Sequence, residues 1–240
     1  MQRNVKYLVC HELRRMPISL LVSGIIYAIG GFFTGGILVS AQELQDERAI
    51  QLIQQFTSDW MMLCLATSLG FAFTKDYLDY FRTDAFSRRT AFYRKLPLTN
   101  REIVVARHVI LLITVVPMSV CFHIPAYLII RLGSLATGIE YLGAAVSWLG
   151  ISLLAGAGYI YLELGFSGRK YLVYTMLALG IALVLLTGLG FMGIFLVGGS
   201  FQLVRNYHAW PPVLSVLAGA AGMWFVAKKT VRRLNVRDLL

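Results

Sequence analysis

The sequence predicts an all-α membrane protein, a six-transmembrane-helix bundle preceded by an amphipathic interfacial helix, and three observations predict it. Of the 240 residues 58% are hydrophobic and only 14% are charged, a balance found in membrane chains rather than in globular cores. Six stretches, near 17–39, 57–74, 103–130, 141–164, 171–198 and 211–227, carry little charge, and about 20 helical residues suffice to cross about 30 Å of hydrocarbon. Third, the charge is distributed by side. With both termini in the cytoplasm, all but Arg48, Arg131 and Arg205 of the 22 Lys and Arg residues lie inside, as the positive-inside rule requires.

Lipid offers no partner to open backbone groups, and the stretches are too long and too continuously apolar for barrel strands, so they are expected as helices. The net charge of +10 then reports topology rather than a nucleic-acid partner. The first loop is acidic instead, with Glu43, Asp46 and Glu47. The first span is too long for a signal-peptide core and is expected to be retained. Cys10, Cys64 and Cys121 are far apart and form no CxxC pair, which predicts reduced apolar thiols.

Residues 1–16 place Val5, Leu8, Val9, Leu13 and Met16 at helical spacing, away from Lys6, His11, Arg14 and Arg15. That pattern predicts a helix lying in the membrane interface, and Pro17 lets the chain turn into the first span. Residues 17–240 form the transmembrane domain. In its first span Gly31 and Gly35 make a GxxxG suited to close helix contact. The 40–56 loop is polar and partly helical by pattern, and the other outer loops are too short to hold a folded domain.

The third span contains Pro117 and Pro125, with His108 near its inner end and His123 deeper. His123 is expected to pack or to hydrogen-bond a neighbouring helix rather than to relay protons. Glu163, near the inner end of the fourth span, is expected to pair with Arg169 or Lys170. The fifth span is rich in glycine, and its outer end is expected to break or re-enter. Arg205, Tyr207, His208, Trp210, Pro211 and Pro212 mark an outer interface turn.

The cytoplasmic loop at about 75–102 holds most information. It is far longer than a hairpin needs and carries eight basic residues if Arg107 just beyond it is included. A short amphipathic helix is expected at 84–95, with Phe86, Phe92 and Tyr93 against Arg88, Arg89, Arg94 and Lys95, lying flat beneath the bilayer. Such a helix can transmit force from a cytoplasmic subunit. Pro97 then stiffens a turn, Thr99 or Asn100 caps the next helix, and Glu102 sits in its first turn.

The run Leu96, Pro97, Leu98, Thr99, Asn100, Arg101, Glu102, Ile103 resembles the end of the corresponding loop in permease subunits of type-2 ABC exporters. The amphipathic start, six spans, inner termini and short outer loops resemble the same family over nearly the whole chain. The resemblance implies that residues 1–16 are an elbow helix and residues 84–100 a cytoplasmic coupling helix. It implies coupling through Arg94, Lys95, Leu96, Pro97, Leu98, Thr99, Arg101 and Glu102. The implied partners are a cytoplasmic ATP-binding subunit and a second permease subunit, in a homo- or heterodimer within the cell membrane of a bacterium. The chain has no GxxxxGK[ST] phosphate loop, so no cofactor is expected in it, and ATP and Mg would be bound by the partner.

Three other classes compete. An intramembrane enzyme calls for a GxSG serine with a distant His, paired acids or an Asp-rich metal cluster. Asp76, Asp79 and Asp84 instead stand among Lys75, Arg82, Arg88 and Arg89, as in a solvated mixed-charge loop. A secondary transporter calls for a charged or broken-helix midplane site and two related halves, neither of which is legible. A non-transporting regulatory or immunity subunit would share every feature of a permease.

Overall fold

The computed structural model describes residues 2–43, 48–72, 74 and 84–237. Among these residues it has nine helices and no strand: α1 (Gln2–Arg14), α2 (Pro17–Glu43), α3 (Arg48–Ser68), α4 (Ala85–Lys95), α5 (Asn100–Leu132), α6 (Gly138–Gly165), α7 (Gly168–Phe191), α8 (Leu196–Tyr207) and α9 (Trp210–Val236). Five of them, α2, α5, α6, α7 and α9, are long and apolar enough to cross a membrane, which makes the chain a multi-pass membrane protein.

The expected second span is not a helix over 57–74. Its place in the bundle, against α2 and α6, is taken by α3, which starts at Arg48 and carries Gln51, Gln54, Gln55 and Asp59. Where the helix ends at Ser68, side chains from three other helices take carbonyl oxygens between Ala66 and Phe71. Tyr27 of α2 donates to Ser68 O at 2.5 Å and to Phe71 O at 3.3 Å. Ser152 of α6 donates to Ala66 O at 2.5 Å, and Thr114 of α5 to Gly70 O at 2.7 Å. A helix end inside an apolar bundle is stable only when its open acceptors are satisfied in this way.

Close backbone approach sets the packing of the long helices. A Cβ at Gly31 would collide with the carbonyl of Phe122, and one at Gly35 would lie 2.9 Å from Ala126 O, so the GxxxG face of α2 is the seat of α5. A Cβ at Gly150 of α6 would meet the backbone of Ser215 in α9, and one at Gly219 of α9 would meet the backbone of Gly150. α5 runs as one helix through Pro117 and Pro125. One core cluster, around Tyr27, Met62, Phe122 and Trp148, joins α2, α3, α5 and α6. The other, around Val9, Tyr93, Ile103, Ile160 and Leu234, joins α1, α4, α5, α6 and α9.

The apolar face of α1 meets the bundle. Leu8 and Val9 are buried against the bundle, while Lys6, His11, Arg14 and Arg15 are exposed. An amphipathic stripe is indifferent to whether lipid or protein covers it, and here protein does. Pro17 opens α2 after a two-residue break, where its missing N–H costs nothing.

The glycine-rich fifth stretch does break. α7 ends at Phe191, Gly193 adopts φ 74°, and α8 begins at Leu196. The start of α8 is held by the buried Asp59, whose carboxylate accepts from Leu196 N at 2.6 Å and Val197 N at 2.8 Å. A carboxylate on the open N–H groups of a helix start satisfies them and complements the helix dipole. Asp59→Ala is expected to cost about 1–2 kcal/mol, the usual loss on removing a cap. That corresponds to a fall of several degrees in Tm, measured in detergent by fluorescence-detected size exclusion. An unchanged Tm would show that α8 is seated by Val197, Phe201 and Val204 alone.

Candidate functional site

One end of the bundle gathers α1, the start of α5, the end of α6, the start of α7, the end of α9, and α4 lying across them. α4 begins with Asp84 in the left-handed region, at φ 43°. Its side chain accepts from Ser87 N at 3.5 Å and from Gly168 N at 2.8 Å, tying the starts of α4 and α7 together.

Phe86, Thr90 and Tyr93, spaced i, i+4, i+7, are the buried face of α4. Phe86 meets Tyr171 of α7 edge to face at 5.1 Å. The Tyr93 hydroxyl donates to the buried Glu12 carboxylate of α1. Burial first, and then the Glu12 charge, push the Tyr93 phenol well above its ordinary pKa.

Arg89, on the flank of the same face, reaches Glu163 of α6. Arg107 of α5 donates to both oxygens of that carboxylate, at 2.9 and 2.7 Å. Glu163 is 1% exposed, Arg107 7% and Arg89 14%. The expected partners Arg169 and Lys170 are therefore replaced by guanidiniums 74 and 56 residues away in sequence. The reason is geometric. Glu163 and Arg107 each lie about two turns or less inside antiparallel neighbouring helices, so their side chains face each other, whereas Arg169 starts α7 on another side.

The remaining bonds lock the segment from both sides. Arg94 donates to Leu234 O and, at 2.9 Å, to Arg237 O, capping the end of α9. Arg237 donates to Leu164 O at 2.6 Å and to Ser87 Oγ. Thr99 and Glu102 form a capping box at the start of α5, and Asn4 of α1 donates to Glu102 at 3.1 Å. Asn100 donates to Asn235 at 2.7 Å.

The outward side is a different surface. Arg88, Phe92 and Lys95 line one exposed face of α4, and Leu96, Pro97, Thr99 and Arg101 continue it. Phe92 is 56% exposed. The eight residues singled out for coupling thus divide. Lys95, Leu96, Pro97, Thr99 and Arg101 are on the exposed rim. Arg94 turns to α9, Leu98 packs into the core, and Glu102 is buried under α1. Residues 75–83 of the expected coupling loop, with Asp76 and Asp79, lie outside the described residues; Asp84 serves as a cap. Among the described residues no group of three His, Cys, Asp or Glu is placed to hold a metal.

Sequence reasoning missed the Arg89–Glu163–Arg107 triad as a unit. The available signal was an acid and a base each just inside facing apolar stretches, a placement that lipid penalises unless the two meet. His123 hydrogen-bonds the neighbouring helix, as expected: its Nδ1 lies 3.1 Å from the Tyr141 hydroxyl of α6. Comparison with protein-family models, curated proteins and solved structures finds no match.

Proposed function

We propose that the chain is the membrane-embedded permease subunit of an ATP-driven exporter, working as a pair with a second permease subunit and two separate ATPase subunits. On this reading α3 is a sixth, interrupted crossing, both termini are cytoplasmic, and the end bearing α4 faces the cytosol. ATP and Mg belong to the partner. The observation that carries the proposal is the two-sidedness of α4. Its inner face is bonded to α1, α6, α7 and α9 and abuts the start of α5, while its outer face presents Arg88, Phe92, Lys95, Leu96 and Pro97 with no described residue covering them. A push on that rim is carried to five helices at once, and a bundle with discrete packings responds by switching rather than by bending. A basic rim with an aromatic anchor suits a groove that is apolar at its floor and acidic at its edge.

The test is co-purification of tagged protein from its host in mild detergent. Wild type is expected to bring down a protein with ATPase activity. Leu96→Asp and Phe92→Asp are expected to lower that activity by tenfold or more, since a buried unpaired charge at an interface costs at least about 1.4 kcal/mol, with Tm unchanged. Absence of any associated ATPase from wild type under all conditions overturns the permease reading.

A further inference from the structure

At the end of the bundle away from α4, the start of α6, the end of α8 and the start of α9 enclose a groove of about 980 Å³, at the upper end of the range for small-molecule sites. It runs along α6 from Thr137 to Val146, roughly 14 Å at 1.5 Å per residue, which is about half the hydrocarbon thickness of a bilayer. The groove is therefore one leaflet deep. Its polar and apolar linings are separated along that length. Thr137, Glu140, Arg205 and His208 form the rim, and Leu142, Val146, Val213 and Leu217 line the part that continues toward the middle of the bundle. Leu142, Val213 and Leu217 are exposed, so the apolar part opens sideways to lipid.

The rim carries a preset pair of opposite charges within reach of a ligand. Arg205 of α8 donates through Nε to Glu140 Oε1 at 2.7 Å and through Nη2 to Glu140 Oε2 at 3.2 Å. The Arg205 side chain is 58% exposed and that of Glu140 is 15% exposed. The Nη1 hydrogens of Arg205 are not used on Glu140 and are available to a ligand. Glu140 also accepts from Thr137 N, and a carboxylate has about four lone-pair sites, so one is left to accept from a ligand.

The chemistry of that ligand follows from the pair. Its two charges cancel, so an anionic headgroup meets an unmatched carboxylate and a cationic one meets an unmatched guanidinium. A zwitterion with a phosphate beside an ammonium matches both, the phosphate accepting from Arg205 and the ammonium donating to Glu140 in charge-assisted hydrogen bonds. The ammonium must carry N–H groups. A quaternary choline has none and is recognised by aromatic faces instead, and among the described residues no Phe, Tyr or Trp lines the groove. Beneath such a headgroup the aliphatic walls take hydrocarbon over the depth of one leaflet.

We propose that this groove is a binding site for phosphatidylethanolamine of the adjoining leaflet, with its phosphate on Arg205, its ammonium on Glu140 and an acyl chain between α6 and α9. The site does not depend on the permease reading and stands whether or not an ATPase associates.

The experiment uses the full chain in nonionic detergent, photolabelled with a phosphatidylethanolamine that carries a diazirine on one acyl chain, and mapped by peptide mass spectrometry. Label is expected on residues 137–146 and 204–217. Unlabelled phosphatidylethanolamine should compete about tenfold better than phosphatidylcholine or phosphatidylglycerol of the same chains, the discrimination of roughly one charge-assisted hydrogen bond. Glu140→Gln keeps an acceptor for Thr137 N and removes the charge, and should bring phosphatidylcholine to within about twofold of phosphatidylethanolamine. Arg205→Ala should weaken all three phospholipids by about tenfold while leaving competition by diacylglycerol as it was. Equal competition by phosphatidylethanolamine and phosphatidylcholine overturns the proposal, as does phosphatidylglycerol competing as well as either. So does glycerophosphoethanolamine, which lacks the chains, competing as well as the lipid. Label spread evenly over the lipid-facing helices overturns it too, as does a groove left unlabelled because a second copy or another protein covers it.

Discussion

Replacing Glu163 by Leu is expected to lower Tm by on the order of 10 °C and to reduce the yield of monodisperse protein sharply. Glu163 is buried between Arg89 and Arg107, and its loss leaves two guanidiniums facing each other in a low-dielectric site. Breaking a buried ion pair from one side costs about 3–5 kcal/mol, and a chain of this length loses roughly 2–4 °C per kcal/mol. The triple variant Arg89→Met, Arg107→Met, Glu163→Leu should recover most of the loss, because matched apolar groups do not need the counter-charge. If an ATPase associates as proposed, recovery in stability without recovery of the associated ATPase activity would assign the triad to communication between α4 and the long helices. Failure of the single variant to lower Tm would mean that the guanidiniums escape to water and that α4 is held by Tyr93, Arg94 and Asp84 alone. The Arg205–Glu140 pair, with Arg205 58% exposed, is the contrast: Arg205→Ala should barely move Tm, because a pair with one partner in solvent is screened.

The second large effect is expected at Gly31. Alanine there would set a methyl against the carbonyl of Phe122, whereas a methyl at Gly36, five residues on in the same helix, meets nothing within 4 Å. Both changes gain the same helix propensity, up to about 1 kcal/mol. Gly36→Ala should therefore leave Tm unchanged or raise it slightly. Gly31→Ala should lower it by several degrees, since overpacking typically costs 1–3 kcal/mol and the neighbour here is backbone, which cannot rotate away. Equal behaviour of the two variants would remove close α2–α5 packing as a determinant of the fold.

How much of this was legible in the sequence differs by element. The continuous apolar stretches of α2, α5, α6 and α9 announce their helices directly, because hydrocarbon imposes one solution on an apolar backbone. A cap at Thr99 or Asn100 with Glu102 in the first turn was readable as a local pattern, and the structure makes it the Thr99–Glu102 capping box. α4 was readable as an amphipathic helix, yet its arginines looked alike. Arg88 and Lys95 face outward, while Arg89 and Arg94 turn inward to Glu163 and to the end of α9. Periodicity separates faces by 100° per residue, but long side chains on the boundary choose their side by what the rest of the fold offers them.

The extent of α3 was misjudged, and the helix that follows the expected break in the fifth stretch was not foreseen, for a related reason. A hydropathy window measures whether a segment is at ease in lipid, and 57–74 passed that test although the helix there is shifted toward Arg48 and stops at Ser68. The carbonyl oxygens around its end depend for partners on Tyr27, Ser152 and Thr114, each more than forty residues away along the chain. The start of α8 depends likewise on Asp59, 137 residues before Leu196.

By itself, then, the sequence determined that this protein is a helical, multi-pass membrane chain and where most of its helices run, because those properties follow from near neighbours and from the solvent. Only the tertiary structure decided which charges are paired, where α3 ends, how α8 begins, and which residues of the α4 segment are free to meet a partner. Those outcomes rest on contacts between residues distant in sequence, and buried polar groups accept whichever distant partner the packing brings within about 3 Å.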